Sequence, residues 1–379
     1  MADKIHVTSW LVYATVVVSF LCIGQAGYNI SVLAAPTKYI QDFYNKSYTR
    51  RYGEASQQTL DLLWATTAAS YMIGGALGAI AVPLTGDILG RKNALLITNL
   101  FSISAGLMYG SSKVANNFEL IIMGRFVSGV YSGITMGMSP LFLSEISPNK
   151  YRGAVVGNQS VFLAFCIMLA QMYIFAGSVF EMIWSNDPAA VSYAILGMGF
   201  VEFLASCVMV YLVDRVGRRP LLLYNFAIMV ILFAIVTLSL TSANPYEADA
   251  WTYVSVICIY GAIFCFAIGP AGVCLIIVPE LWSQGPRPTA VSIAVQVQWW
   301  SGFLVYFLFP YLQAAMDAYM FAIFVVILIY YTLFTYFLVP ETKLKSFEEI
   351  AAQFRSKGGD KNEAIHSEEA FEMSKIKSQ

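Results

Sequence analysis

Charge is what this 379-residue chain has least of. Lys, Arg, Asp and Glu make up 12% of it, about half of the roughly 25% found in soluble domains, so it cannot clothe a globular core in ordinary polar surface. Histidine is scarcer: only His6 and His366 occur, both near the ends of the chain. All six cysteines, Cys166 and Cys274 among them, lie in apolar runs without metal-ligand spacing. No glycine-rich loop followed by lysine is present to cradle a nucleotide phosphate. The expectation is a protein that is not an enzyme and takes neither metal nor cofactor. A formal net charge of -1 leaves no basic surface for nucleic acid. A cleavable signal peptide is not expected either, because the first apolar run is too long and continues into Gln25, Tyr28 and Asn29.

What is present is apolar length. Hydrophobic residues make up 58% of the chain and aromatics 15%. Crossing roughly 30 Å of hydrocarbon as a helix takes about 20 residues. Stretches of that length fall near 9–34, 60–86, 93–112, 120–146, 154–179, 190–213, 220–241, 252–281, 290–312 and 317–339. The fold class expected is all-α, a polytopic membrane helical bundle of about ten spans. Arg91 with Lys92, Lys150 with Arg152, Arg215 with Arg218 and Arg219, Arg287, and Lys343 with Lys345 occupy alternate connections. The positive-inside rule assigns those connections, and with them both termini, to the cytosol. The first outside loop departs from this pattern with Lys38, Lys46, Arg50 and Arg51. It also holds the one sequon that topology makes usable for a glycan, Asn45-Lys46-Ser47.

The charges form a repeat. FLSEISPNKYRG (142–153) closes one span with Glu145 and Arg152, seven residues apart, and VPELWSQGPRP (278–288) closes another with Glu280 and Arg287 at the same spacing. GDILGRK (86–92) joins two earlier spans and DRVGRRP (214–220) two later ones. Two matched halves follow, each with a basic turn and a charged exit. The chain divides into a cytosolic N-terminus (1–8), a five-span half (9–165), a seam and outside loop (166–189), a second five-span half (190–342) and a cytosolic tail (343–379).

GRFVSGVYSG, SEISPNKYRG, DRVGRRP, PELWSQGPRP and PETK (340–343) together resemble the signature set of the sugar porters of the major facilitator superfamily. Within that family the chain is most similar to the animal facilitative glucose transporters. QAGYN (25–29) and SFEEIAAQF extend the likeness over about residues 9–355. The resemblance implies a plasma-membrane carrier in which two halves rock about a central site, moving a hexose-type sugar by facilitated, alternating access within the lipid bilayer. It implies a gating charge network of Arg91, Glu145 and Arg152 in one half and Asp214, Arg218, Glu280 and Arg287 in the other. Gly269 and Pro270 would break the eighth span and let it bend. Polar or stacking groups for sugar are expected from Gln25 and Asn29, four apart on one helix face, and from Gln159, Ser160, Glu202, Gln298 and Trp299. Gln171 and Gln296 are further polar groups in spans. Leu275 stands where glucose carriers have tryptophan, Ala267 where they have glutamate and Gly302 where they have asparagine.

Complete members carry twelve spans with a long cytosolic segment between the halves. Here MYIFAGSVFE (172–181) resembles the outer end of their seventh span and follows directly on the fifth. The sixth span, the interdomain segment and the inner part of the seventh are therefore absent, with the seam between Cys166 and Gly177. Losing one hairpin keeps the orientation of every later span. Two readings stay open: a working hexose facilitator, or a non-transporting form that associates with full-length relatives. Proton-coupled symport ranks below both, because no acid lies in the first span.

Overall fold

The structure, a computed structural model, describes residues 9–32, 37–148, 151–182, 189–242, 250–283, 285–316, 319–343, 345, 348–350 and 352–353. The terminal tails and residues 183–188, expected as an outside loop, lie outside the described residues, as does the side chain of Gln171. Among the described residues every regular element is a helix. The first span has three parts: α1 (Ser9–Val18), a π-helical turn (Ser19–Gly24) and α2 (Gln25–Ser31). Then come α3 (Thr37–Tyr52), α4 (Gln57–Ile88), α5 (Arg91–Ala115), α6 (Glu119–Ile146), α7 (Arg152–Met182), α8 (Ala189–Val216) and α9 (Arg218–Ser242). α10 (Ala250–Phe266) passes through a second π-helical turn (Ala267–Ala271) into α11 (Gly272–Glu280), and α12 (Arg287–Met316) and α13 (Met320–Phe337) close the fold. Among the described residues nine helical rods are long and apolar enough to cross a membrane. The 30-residue α12 is not among those nine.

Both basic turns are tight because each contains a glycine at positive φ, Gly90 at 74° and Gly217 at 106°. Each stands immediately before the arginine that opens the next helix, and only glycine adopts that backbone without steric cost. Away from the turns, α5 turns Leu96, Leu100, Ile103 and Leu107 outward. In hydrocarbon such residues need no protein cover, since every backbone group is satisfied within the helix.

Two features differ from the simplest reading of the sequence. The segment expected to form the first outside loop folds as a helix, α3. Its Tyr44 is buried against Leu60 and Phe118 and shares a hydrogen bond with Thr67 at 2.7 Å, while Arg51 pairs with Glu119 at 3.2 Å. Its polar composition hides these few anchoring contacts. The second concerns the expected seam: α7 runs unbroken from Arg152 to Met182, straight through residues 166–177.

The halves meet along α4 and α12. Ser292 donates to the carbonyl of Ala79 at 2.6 Å, Gln296 donates to that of Ala76, and the Trp299 ring lies over Gly75. The opposite face of α4 is pressed on α6, where a side chain on Gly74, Gly78, Gly129 or Gly133 would collide with the neighbouring backbone. Small residues permit this approach and gain dispersion contacts from it.

Candidate functional site

The charged site sits at the end of the bundle that carries the basic turns. Arg91 reaches Glu145 at 3.2 Å and Asp87 at 3.6 Å. Arg218 is buried and grips Glu280 with two nitrogens, at 3.0 and 3.2 Å, and Asp214 at 3.1 Å. The halves are cross-linked here. Asp214 accepts from the Ala154 N–H at 2.9 Å, placing a carboxylate on the first turn of α7, where the helix dipole favours an anion. Arg152 of the first half lies in the field of Glu280, and Arg287 of the second in that of Glu145. All seven residues expected in a gate are thus gathered at one end.

Two members of this cluster were not singled out from the sequence. Glu341 accepts from the N–H groups of Arg218 and Arg219 at 3.0 and 3.1 Å, and Thr342 donates to Glu280 at 2.6 Å. Both belong to the quoted PETK stretch, whose sequence motif alone signalled them.

The polar groups expected around a sugar are distributed unevenly. Gln159 on α7 is fully buried, and neither its amide nitrogen nor its oxygen has a hydrogen-bond partner. The neighbouring Ser160 hydroxyl, the Ser19 hydroxyl in the first π-helical turn and the Trp299 indole N–H are buried and unpartnered too. Such atoms are rare in folded proteins and cost free energy unless a ligand or water meets them. Asn29 is buried and donates to the Gln25 carbonyl at 3.0 Å, while Gln25 donates to Ser102 of α5. Glu202 is partly buried on α8. Gln298 is exposed. Gln296 is engaged by α4 and also accepts from the Trp300 indole at 3.1 Å. Trp299 meets Tyr71 edge-on, with centroids 5.3 Å apart.

Gly269 and Pro270 lie in the second π-helical turn, with Gly269 against the Asn225 side chain. Asn45 is exposed on α3, whereas its sequon partner Ser47 is buried and donates to the Asn116 carbonyl at 2.8 Å. Among the described residues no group of three or more His, Cys, Asp or Glu could hold a metal ion.

Arg125 on α6 went unnoticed inside GRFVSGVYSG. It is buried, donates to the Asn29 carbonyl at 2.7 Å and stands 4.2 Å from the centre of the Tyr71 ring. A carbonyl at the end of α2 and an aromatic face take the place of a carboxylate, and none of the ion pairs among the described residues includes it.

Comparison with known proteins gives this architecture a context. The profile of the family described as "Sugar (and other) transporter" matches residues 14–185 and 172–354. The two matches overlap beside the expected seam. The chicken (Gallus gallus) solute carrier family 2, facilitated glucose transporter member 1, is 29% identical over 89% of this chain and 92% of its own. The human (Homo sapiens) member 9 is 30% identical over 90% and 85%. The alignment with the chicken protein runs over 457 positions, yet 89% of these 379 residues is only about 337, so about 120 positions have no counterpart here. Among solved structures, the proton:xylose symporter XylE bound to 6-bromo-6-deoxy-D-glucose superposes with a TM-score of 0.75 at 17% identity, covering 91% of this chain and 99% of the other. The inward open conformation of XylE from E. coli gives 0.68 at 17% identity, with 90% and 99% covered. The family match along nearly the whole chain makes the conclusion plain: the chain belongs to the sugar transporter family and shares the helical fold of a major facilitator superfamily protein.

Proposed function

We propose that the chain carries a hexose-type sugar down its gradient across the plasma membrane, by alternating access of its two halves, with both termini and the basic end in the cytosol. The observation that carries this reading is Gln159, fully buried with both amide atoms unpartnered. Ser160, Ser19 and the Trp299 indole add further unmet donors and acceptors, a set suited to the hydroxyls of a polyol. Gln25, Asn29, Glu202 and Gln298 complete the proposed sugar-binding set. The charge cluster at the basic end acts as the cytosolic gate. Gly269 and Pro270 supply a bend in the span that carries Glu280. Asn45 carries a glycan on the outer face.

Facilitated diffusion is favoured over proton coupling by the surroundings of Arg125. Its charge rests on a carbonyl and on the face of Tyr71, and none of the ion pairs among the described residues gives this buried cation a carboxylate whose protonation could be tied to transport. The test is uptake of radiolabelled hexoses by the purified chain in liposomes. Saturable, stereoselective uptake that ignores an imposed pH gradient is the expected result. Acceleration by a proton gradient would replace facilitation with symport.

One observation favours a second reading. About 120 positions of the chicken relative have no counterpart here, and a sugar site missing that much wall holds its ligand weakly. On this reading the chain does not transport and binds full-length relatives, which it would retain inside the cell. Absence of saturable uptake, together with co-purification of a full-length relative and a fall in that relative's surface level, would decide for it.

A further inference from the structure

We infer that Tyr131 is a positioning residue for the sugar-facing groups of the first span, acting through the π-helical turn at Ser19–Gly24. The inference rests on the reading of Gln25 and Asn29 as sugar ligands. A π-helical turn holds one residue more than an α-helical turn, so it offsets the helix beyond it by about 100°. Gln25 is the first residue after the turn, and Asn29 follows one turn later on the same face. The direction in which these amides point is therefore set by whether the turn stays wide.

The two π-helical turns have different causes. The second contains Pro270, which has no N–H to give and cannot complete an α-helical bond. The first, SFLCIG, has no proline. Its wide form needs another source of stability, and Tyr131 is placed to supply it. The Tyr131 side chain on α6 is fully buried, and its hydroxyl donates to the Leu21 carbonyl, inside the turn, at 2.9 Å, with the Cys22 carbonyl at 3.5 Å. Widening a helix disturbs its carbonyl ladder, and in an apolar interior a carbonyl left without a donor is costly. The tyrosine meets that need across 110 residues of sequence.

The segment beyond the turn is seated firmly, so a change of register has a defined result. A side chain on Gly27 would strike the Leu163 carbonyl, one on Gly24 would stand 2.8 Å from the Cys166 sulfur, and Arg125 holds the Asn29 carbonyl. Tyr131 need not touch the sugar. It keeps the wide turn, and the wide turn aims Gln25 and Asn29.

The test uses the full chain in liposomes with single cysteines introduced in turn at residues 25–32 in a background lacking native cysteines, probed by a water-soluble thiol reagent added from outside. In Tyr131→Phe the turn relaxes to an α-helix, and the set of labelled positions moves by one residue. The KM for hexose uptake should rise roughly three- to tenfold, the range expected for one net hydrogen bond, with the maximal rate little changed. Deleting residue 22 in the Tyr131→Phe chain removes the extra residue and should restore both the labelling pattern and KM. An unchanged pattern in Tyr131→Phe overturns the inference, and so does a deletion that restores nothing. If the parent chain takes up no sugar, the labelling still decides the role of Tyr131, while the transport proposal fails separately.

Discussion

In the first half Arg91 reaches Glu145 at 3.2 Å with about a quarter of each side chain exposed (24% and 27%), whereas in the second half Arg218 reaches Glu280 at 3.0 Å with 4% and 8% exposed. The two pairs occupy matching places in duplicated motifs and share the same positive-φ glycine before the arginine. Their surroundings separate them. Arg218 also holds Asp214 and the Val213 carbonyl, Thr342 donates to Glu280, and Glu341 covers the start of α9. Coulomb attraction in a wet setting is worth little, but a buried charge that loses its partner keeps its full desolvation cost. The duplication thus preserved the motif while concentrating its energetic weight in the second half. The packing shows an opposite asymmetry. α4 and α6 touch through glycines, whereas α9 meets α13 through Phe226 with Tyr331 and Phe233 with Phe321 and Phe324.

The sharpest way to break this comparison is to remove one arginine from each half. Arg218→Leu strips the buried Glu280 of both guanidinium hydrogen bonds, and should cost about 3 to 5 kcal/mol. Arg91→Leu should cost about 0 to 1 kcal/mol. Thermal unfolding in detergent reads both, and equal losses would end the claim that burial separates the halves. Next in size is a pair of glycine replacements. Gly133→Ala drives a methyl into the Gly75 carbonyl and should lose about 1 to 3 kcal/mol by overpacking. Gly261→Ala in the second half meets only the flexible end of Leu232, at 3.3 Å, and should leave the melting temperature nearly unchanged.

A smaller effect is expected where the halves are joined. Arg152→Leu or Arg287→Leu should leave both halves folded but loosen the gathered end, raising the population open to the cytosol by about 5- to 150-fold for a coupling of 1 to 3 kcal/mol. Labelling of a cysteine at position 292 from the cytosolic side measures this, and unchanged labelling in both variants would reduce the cluster to an interfacial anchor. The smallest effect belongs to α3, which packs on the first half. Burial pushes the Tyr44 phenol from 10.0 up to about 12, against the opposing pull of its Thr67 hydrogen bond and of Arg125. The docked helix keeps its proton where the released one would lose it, so docking is intact below pH 10 and weakens as pH rises from 10 towards 12. Protection from hydrogen exchange, taken relative to the base-catalysed intrinsic rate, should fall over residues 37–52 across that window and remain flat in the second half. Tyr44→Phe should abolish this pH dependence.

Much of this protein is written locally. Apolar length set the spans, charge scarcity made each arginine and acid conspicuous, and the repeated spacing of Glu145 with Arg152 and Glu280 with Arg287 marked the gathered end. Glycine before arginine marked both turns. These features rest on neighbouring residues and on the cost of polar groups in hydrocarbon, and a single sequence displays both. The interior could not be read in the same way. Gln296 looks as available to a ligand as Gln159, yet it is held by the Ala76 carbonyl while Gln159 is left without a partner. Arg125 is indistinguishable by type from a surface arginine until Asn29 and Tyr71 close around it. The π-helical turn at Ser19–Gly24 has no proline or glycine pair to announce it, and its stabilising hydroxyl arrives from α6. Composition and spacing are properties of one segment, and they determined which helices exist and where the charged turns fall. Whether a buried polar atom is satisfied depends on which atoms lie within 3 Å of it, and only the packing of helices distant in sequence decided that.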